Sequence, residues 1–549
     1  MQPDRLGVVV DGSLTKGLTA RLDRTCSVED VRVGRFVKIQ GDKFDFFCLI
    51  TDVALGAANP HVLDEPPDPS DAFLHAVLAG TTTYGTVSVQ PMLMLGKLAV
   101  DEVDPAEIGR GPQPVRTIPA HFAPVDAAGE DDFNRVFAEP GEGSWVIGTP
   151  LDMDVPVRLD LARIAERSNG IFGKSGTGKS MLTRVLLCGL IRSKKAVNLI
   201  FDMHSEYAWP TTDKATGQML KSLPDLFGNA HVSVYALASN RPLPRNRQPE
   251  GYIRIGLNEI EVEDIALLSE LLNLNDTAVE TIYLLRQDLG DEWLRRLLEM
   301  DQSDIKELCD RTVANPSSVA ALKRHLNRLL ELDFITREFI SPDKSTINFL
   351  VRGLEQGQNM VLAFGQADDL LPYMLVVNVI TRRIHDRWRT NTQNAHAGEG
   401  VEPQQLVITV EEAHRFLSPG AARHTSFGTI ARELRKFNVT LLVVDQRPSG
   451  IDPEVLSQIG TRFTCQLNDE SDIAAILAGV SGATHLRAVL ASLDSQQQAM
   501  LLGHAVPMPV VVKVRTIDES FYEEIMASRA GAVFPNGRRA RDLFARPDD

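Results

Sequence analysis

The chain has 549 residues, of which 43% are hydrophobic and 24% charged, which is typical of a globular protein with large buried cores. Its 57 basic and 73 acidic residues give a net charge of −16 at pH 7. That balance argues against a protein that coats nucleic acid over its whole surface, but it allows a ring with a basic lining. No run of about eighteen apolar residues is present, so no membrane span is expected. Five scattered cysteines without C-x-x-C spacing are typical of reduced thiols in the cytoplasm.

Residues 1–140 are predicted to form a small β-barrel or sandwich. Runs such as "VGRFVKIQ" and "TYGTVSVQPMLML" alternate or cluster apolar residues between Gly, Asp and Pro punctuation. The stretch 105–142 is rich in Pro, Gly and acidic residues, and it is interpreted as a linker or decorated loop. A domain boundary is therefore expected between about 140 and 145.

The segment "IFGKSGTGKSML" (171–182) matches the P-loop pattern G-x-x-x-x-G-K-[ST] in full. A short apolar strand precedes it and a helical apolar periodicity follows it, which is the context that the motif requires. Glycines let the backbone N–H groups converge on an anion, Lys179 is expected to contact the β- and γ-phosphates of ATP, and the Ser180 hydroxyl to bind Mg²⁺. The predicted nucleotide-binding residues are Gly173, Lys174, Ser175, Gly176, Thr177, Gly178, Lys179, Ser180 and Met181.

Strand–helix alternation predicts an α/β core over 145–258 and 345–515. Buried parallel strands are expected at "AVNLIFD", "HVSVYAL", "NMVLAFG", "QLVITVEEAH" and "VTLLVVDQRPSG". The first of these runs ends at Asp202, and Glu206 follows shortly after. These two acids either hold water or Mg²⁺, or only cap a turn.

Amphipathic, Leu-rich patterns without strands predict an all-helical insertion over 259–344. The polar stretch 391–405, "NTQNAHAGEGVEPQQ", is predicted to be a loop. Residues 516–549 are predicted to form a C-terminal tail, whose end is polar and rich in arginine.

Two adjacent carboxylates, Glu411 and Glu412, end the apolar run "LVITVEEAH". Neighbouring residues on a strand point to opposite sides, so the two acids suit two roles. One would hold Mg²⁺ and the other would act as general base on the attacking water. Gln446, at the tip of "LLVVDQRPSG", either contacts the γ-phosphate or that water, or is a turn residue before Pro448. His414 and His424 are interpreted as polar structural histidines rather than metal ligands.

Arg432, Arg435 and Lys436 lie in "FGTIARELRKFNVT", which is predicted to be helical. They form either a solvated basic face or an arginine finger that reaches the nucleotide of a neighbouring subunit. Arg167, just before the P-loop strand, is a further candidate finger. A finger in this position requires a ring in which each site lies between subunits.

The motifs "RSNGIFGKSGTGKSML", "FDMHSEY", "VITVEEAHRFL", "IARELRKFNVTLLVVDQRPSGIDPEVLSQIGTRF" and "AMLLGHAVPMPVVVKV" resemble, in this order, those of the HerA family of ATPases. This family belongs to the larger HerA/FtsK group of DNA motors. The resemblance covers about 145–515, and the N-terminal β segment is similar to the small barrel of that family. It implies a RecA-like P-loop ATPase core with an N-terminal β-barrel and a helical insertion.

The resemblance further implies a homohexamer that hydrolyses ATP between subunits and moves double-stranded DNA through its pore. It assigns Lys179 and Ser180 the P-loop roles, Glu411 the Mg²⁺ role, Glu412 the base role and Gln446 the sensor role. The Glu-Glu pair replaces the Asp-Glu of most P-loop motors, a change that the family tolerates. The implied partner is a NurA-like nuclease in DNA end processing, or a sirtuin-like or nuclease effector in phage defence. The alternatives are a secretion or conjugation ATPase, and an ATP-binding ring that activates a partner effector with little motor work.

Overall fold

The computed structural model describes residues 5–58, 83–97, 111–137, 143–213, 217–239, 248–312, 314–364, 370–421, 434–480, 482–494 and 497–530, with a few single positions between them. In these parts of the chain, no helix is both long enough and apolar enough to cross a membrane.

An antiparallel barrel forms the N-terminal part of the chain, as predicted. The interpretation of 105–142 as a linker is wrong in the described part of that segment, which contains two strands of the barrel sheet, Gln113–Pro114 and Pro124–Ala127, and the helix Glu130–Phe137. Six strands close in the order β2-β1-β7-β3-β4-β5 through a β2–β5 pairing, and the short β6 extends β5. Its strands are β1 (Arg5–Ser13), β2 (Gly17–Leu22), β3 (Phe36–Gln40), β4 (Phe44–Ala57), β5 (Thr83–Gly96), β6 (Gln113–Pro114) and β7 (Pro124–Ala127).

Strands β3 and β4 are apolar on both faces because each face is buried against a different core. Val37 and Cys48 point into the barrel, whereas Phe36 and Phe47 belong to the larger hydrophobic cluster that continues into the rest of the molecule. Alternate residues of a strand face opposite ways, so this double burial explains the unbroken apolar run "FFCLI". The barrel is thereby packed onto the α/β core.

A twelve-stranded sheet forms that core, in the order β15-β14-β18-β11-β19-β20-β10-β21-β22-β23-β8-β9. The strands from β15 to β21 are parallel, and the remaining four are antiparallel. Two further pairs, β12–β13 and β16–β17, are separate small sheets. The strands are β8 (Ser144–Pro150), β9 (Val157–Asp160), β10 (Asn169–Phe172), β11 (Val197–Asp202), β12 (Thr211–Thr212), β13 (Met219–Leu220), β14 (Val232–Leu237), β15 (Gly251–Ile253), β16 (Ile255–Gly256), β17 (Ile335–Thr336), β18 (Asn359–Ala363), β19 (Leu406–Glu411), β20 (Val439–Asp445), β21 (Thr461–Thr464), β22 (Gln498–Gly503) and β23 (Val510–Val514).

Helices connect and cover these strands, and five of them, α5 to α9, fall inside the segment 259–344. The prediction that this segment is all-helical is wrong at β17, which pairs with β16. The α-helices are α1 (Glu130–Phe137), α2 (Leu161–Ala165), α3 (Lys179–Ser193), α4 (Leu223–Phe227), α5 (Val262–Leu267), α6 (Asp276–Leu289), α7 (Trp293–Glu299), α8 (Gln302–Thr312), α9 (Pro316–Leu326), α10 (Thr346–Glu355), α11 (Leu370–His396), α12 (His414–Leu417), α13 (Pro453–Gln458), α14 (Glu470–Leu477), α15 (Ala483–Ala491) and α16 (Glu519–Ala530). Short 3₁₀ helices span Val28–Asp30, Leu257–Glu259, Gly290–Glu292, Asn327–Glu331, Leu434–Phe437 and Pro448–Gly450.

The prediction of a loop over 391–405 is wrong for its first six residues, because α11 continues to His396. Trp388 is fully buried and its indole N–H donates to the Gln404 carbonyl at 3.1 Å. The amide of Asn391 donates to Glu355 at 2.6 Å. These tertiary contacts hold the last turns of a helix whose polar composition alone predicts a loop.

Candidate active site

The P-loop connects the carboxyl end of β10 to the amino end of α3. Gly173, Gly176 and Gly178 all have positive φ angles, so the loop uses backbone conformations that favour glycine. A Cβ atom on Gly173 would lie 2.7 Å from the Cβ of Cys465, which packs beneath the loop. The loop is therefore held in a tight turn at the positive end of a fifteen-residue helix, a geometry suited to binding phosphate.

Lys179 is folded back onto its own loop. Its Nζ donates to the carbonyls of Gly173 at 2.6 Å and Lys174 at 3.0 Å. Burial lowers the pKa of this amine, and the nearby Cys465, Glu412, Asp445 and Glu206 partly oppose that change. The Lys179 ammonium thus donates to these two carbonyls, whereas the P-loop motif directs that group to phosphate oxygens.

Glu411, the last residue of β19, is buried and faces the loop that follows β11. Its carboxylate accepts hydrogen bonds from the Met203 N–H at 3.1 Å and the Tyr207 hydroxyl at 3.4 Å. Burial raises the pKa of Glu411 well above its usual range, and the charges of Asp202 and Glu206 add to this shift. The hydroxyl of Tyr373 donates to the backbone carbonyl of Glu411 at 2.9 Å and so fixes the end of the strand.

Glu412 lies just beyond the end of β19, and its carboxylate has different partners from that of Glu411. Its backbone has a φ of 49°, which ends the strand, and its side chain is about one-quarter exposed. The amide of Gln446 donates to Glu412 Oε1 at 2.9 Å. Glu412 also lies close enough to Lys179 to raise the pKa of that amine. The structure thus places Gln446 in contact with Glu412, at the same edge of the sheet as Lys179.

Strand order explains this convergence. β20 lies between the P-loop strand β10 and the acid-bearing strand β19, and all three are parallel. In register, Phe172 is paired with Asp445, and Glu411 with Val444. The P-loop, the acid pair and Gln446 therefore leave the sheet at the same edge, where ligands of parallel sheets bind.

Asp202 caps a turn. Its buried carboxylate accepts hydrogen bonds from the N–H groups of Glu206 at 2.7 Å, Tyr207 at 3.0 Å and Ala208 at 2.8 Å. One carboxylate oxygen of Glu206 is buried and has no hydrogen-bond partner among the described residues. Of the two alternatives left open by the sequence, Asp202 takes the structural one, and Glu206 keeps a carboxylate oxygen available.

The residues at this edge fit a Mg²⁺ ion that is bound together with a nucleotide. Mg²⁺ prefers oxygen ligands and usually takes only one or two carboxylates from the protein, with phosphates and water completing its shell. The exposed Ser180 hydroxyl and the Glu411 carboxylate supply such oxygens. The described part of the chain contains no group of three or more His, Cys, Asp or Glu side chains arranged to hold a metal by themselves.

Arg167 precedes β10 and Lys436 precedes β20, so both lie at the edge of the sheet opposite to the P-loop. Arg432 lies outside the described residues, and Arg435 belongs to the 3₁₀ helix Leu434–Phe437. Arg167 and Lys436 line one cavity of about 970 Å³. The Nε atom of Arg167 is buried without a hydrogen-bond partner among the described residues. The two segments that the sequence singles out are thus brought to one place, away from their own P-loop.

Sequence reasoning missed Asp445 and the two tyrosines around Glu411. Asp445 accepts hydrogen bonds from the backbone N–H of His414 at 2.6 Å and of Arg447 at 2.7 Å. An acid at the end of the apolar run "LLVVD" was the available signal, since the same pattern marks Asp202 in "LIFD". No signal in the sequence pairs Tyr207 and Tyr373 with Glu411.

Comparisons with known proteins identify the family of the chain. Residues 145–384 match the family model "Helicase HerA, central domain", and residues 6–104 match the HAS barrel domain. Together these matches span more than half of the chain. The DNA double-strand break repair helicase HerA of Sulfolobus acidocaldarius is 24% identical over 404 residues, which cover 72% of this chain and 73% of that protein. The protein of the same name from Saccharolobus solfataricus is 26% identical over 403 residues, which cover 71% of this chain and 72% of that protein.

A solved structure of VirB4 from Thermoanaerobacter pseudethanolicus is similar at 15% identity and a TM-score of 0.44, covering 70% of this chain and 100% of that one. The family matches extend over the barrel and over the part of the α/β core that contains the P-loop. The chain therefore belongs to the HerA helicase family and is a P-loop ATPase.

Proposed function

We propose that this protein is a homohexameric motor that hydrolyses ATP to translocate double-stranded DNA. The observation that carries the proposal is the convergence of Lys179, Glu412 and Gln446 at one edge of the sheet of a HerA-family chain. A site used only to bind ATP needs the P-loop but has no need of a carboxylate and an amide beside it. A hydrolytic site needs a base, a group that orients water, and cations that neutralise the phosphates.

Each side chain has a role in this proposal. Lys179 leaves the carbonyls of its own loop and contacts the β- and γ-phosphates. Glu412 accepts a proton from the attacking water, and Gln446, which already bonds Glu412, orients that water or the γ-phosphate. Ser180 and Glu411 hold Mg²⁺, which neutralises the charge of the phosphates when it is bound with ATP.

Arg167 supports an arrangement in which subunits share their sites. It precedes β10, whereas the P-loop follows that strand, so a four-residue strand of roughly 13 Å separates the two. An arginine at this edge acts on a nucleotide only if the neighbouring subunit presents one. Head-to-tail contacts of this kind close into rings, and we propose six subunits. Arg432 and Arg435 remain candidates for the same role.

The relatives named above are DNA repair helicases, and we propose that this chain also acts on DNA. With a net charge of −16, any duplex binding must come from a local basic surface. A motor has to move along any sequence, so its contacts should be made to phosphates rather than to base edges. We propose further that a nuclease of the NurA type, or a sirtuin-like or nuclease defence effector, acts with it.

The test is the ATPase rate of the assembled protein against the concentration of linear duplex DNA, at low and moderate salt, for two unrelated sequences. We expect stimulation that is equal for both sequences and falls steeply with salt, because binding weakens roughly as the −0.9 power of salt per phosphate neutralised. Displacement of a third strand from a triplex then reports movement along the duplex. Lys179→Ala is the control, since it should retain DNA binding and lose both ATPase activity and displacement.

Two results would redirect the proposal. If DNA stimulates the ATPase but no third strand is displaced from the triplex, translocation is excluded and the protein is a DNA-dependent ATPase. Neither binding nor stimulation, with an active ATPase, would favour a ring scaffold that uses ATP to activate a partner effector.

A further inference from the structure

The imidazole of His414 lies between two carboxylates, those of Asp445 and of the proposed base Glu412. Its Nδ1 is 3.0 and 3.1 Å from the two carboxylate oxygens of Asp445, and 3.6 Å from Oε2 of Glu412. His414 begins helix α12, two residues after Glu412. The ring therefore lies beside one oxygen of the Glu412 carboxylate, and Gln446 bonds the other.

Asp445 determines how this ring is held. Its side chain is fully buried and accepts hydrogen bonds from the N–H of His414 at 2.6 Å and the N–H of Arg447 at 2.7 Å. A carboxylate that accepts from the ring requires a hydrogen on Nδ1, so Asp445 sets both the orientation and the tautomer of His414. The same carboxylate thus connects the turn after Glu412 with the turn that carries Gln446.

Glu412 needs such support. Its backbone has a positive φ, and its side chain has one hydrogen bond, from Gln446, in the described structure. A general base works only when its carboxylate is ionised and aimed at the water, and misplacement by about 1 Å costs up to about 10²-fold in rate. The Nδ1 atom, whose hydrogen is donated to Asp445, lies 3.6 Å from Oε2 of Glu412, so the imidazole packs beside that oxygen and restricts its movement without a full hydrogen bond.

We propose that His414, oriented by Asp445, is a positioning residue that holds the Glu412 carboxylate in its reactive orientation. This inference rests on the proposed hydrolysis at Glu412. His414 itself contacts neither ATP nor water in the proposal, and it acts only through Glu412. The backbone N–H of His414 also donates to Asp445, and any residue at position 414 other than proline keeps that bond. If this backbone bond were the whole role of His414, the imidazole could be removed without loss of activity.

The experiment compares His414→Ala, His414→Asn and the exposed-histidine control His396→Ala in the assembled protein. For each variant we measure kcat and KM for ATP, the affinity for a non-hydrolysable ATP analogue, and the melting temperature. We expect His414→Ala to lower kcat about 10-fold while analogue affinity and melting temperature stay near wild type. An Asn side chain places an N–H near the position of Nδ1, so His414→Asn should recover part of the loss, and His396→Ala should change nothing.

A double-mutant cycle with Glu412→Gln, measured by single turnover with enzyme in excess, separates positioning from structure. If His414 acts through Glu412, His414→Ala causes no further loss in the Glu412→Gln background. A 10-fold loss that persists in that background, or a wild-type kcat in His414→Ala, overturns the inference. Wild-type activity that does not depend on Glu412 overturns the proposed function instead, so the two failures are distinguishable. If His414→Ala does not fold, His414→Leu, which has no N–H near the position of Nδ1, is carried through the same cycle, and a wild-type kcat in that variant overturns the inference.

Discussion

Glu412 is the residue on which the proposed chemistry depends most, and its backbone conformation is uncommon for its type. A non-glycine residue with positive φ costs about 1 kcal/mol or more, and such residues cluster at functional sites. The conformation turns the chain directly after β19 and separates the Glu412 carboxylate from that of Glu411. Glu411 is enclosed by Tyr207 and the Met203 N–H, whereas Glu412 meets Gln446 and the region of Lys179.

Replacement of Glu412 by Gln should therefore abolish turnover without abolishing binding. The amide retains the size of the side chain but has no lone pair basic enough to accept the proton, so we expect kcat to fall by about 10² or more. The affinity for ATP, measured with a fluorescent analogue, should stay near wild type. Lys179→Ala is the contrasting variant, because loss of its phosphate contact should weaken nucleotide binding. Near-normal turnover in Glu412→Gln would exclude Glu412 as the base.

At the scale of elements, helix α3 couples the P-loop to the rest of the core. Trp145 of β8 is buried against its middle, and the indole N–H donates to the Val185 carbonyl at 2.9 Å. The guanidinium of Arg515 lies 5.3 Å from the Trp145 ring and also pairs with Glu524 of α16. Helix α16, which falls in the segment predicted as a tail, is thus packed against the element that begins at the phosphate site.

Gly189→Ala tests this packing. A Cβ atom at position 189 would lie 2.6 to 2.8 Å from atoms of the Trp145 ring, which is held in place by its hydrogen bond. Alanine stabilises a helix by up to about 1 kcal/mol relative to glycine, but overpacking a buried ring destabilises the fold by about 1–3 kcal/mol. We therefore expect the variant to be less stable than the wild type. A net loss of about 1 kcal/mol corresponds to a fall in melting temperature of about 2–4 °C.

Gly400→Ala is the matched control, because no atom lies within 4 Å of the added Cβ. Its melting temperature should equal that of the wild type. An unchanged or higher melting temperature in Gly189→Ala would mean that the helix and Trp145 separate without cost.

At the scale of the whole molecule, the two edges of the parallel sheet carry complementary features. One edge carries the P-loop, the acid pair and Gln446. The other carries the cavity lined by Arg167, Lys436 and Arg462. The Arg462 guanidinium donates to the carbonyls of Leu456, Ile476 and Ala478, so this side chain stabilises the fold. The buried Nε of Arg167 has no hydrogen-bond partner among the described residues, which suits a side chain that binds an anion on another subunit.

Arg167→Ala should lower turnover while nucleotide affinity stays nearly normal, because a finger stabilises charge that develops in the transition state. Loss of a finger costs about 10³-fold or more in kcat. Mixed with wild-type subunits, the variant should inhibit more than in proportion to its share, as expected of sites built by two subunits. Arg432→Ala and Arg435→Ala are tested in parallel. Light scattering that finds only monomers, with and without ATP and DNA, would contradict the ring.

The amino-acid sequence by itself determined the local features: the P-loop and its following helix, the apolar strands, the acid pair at a strand end, and the barrel that precedes them. Each depends on residues close together in the chain, through a motif or a hydrophobic period. Only the tertiary structure decided which of these features meet. It inserted β20 between β10 and β19, which brings Gln446 to Glu412 across 34 residues and Asp445 to His414 across 31. It also made Asp202 a cap, extended α11 to His396, and brought Arg167 and Lys436 to one cavity. Strand order and burial set these contacts, and both depend on the free energy of the whole packed core rather than on any local pattern.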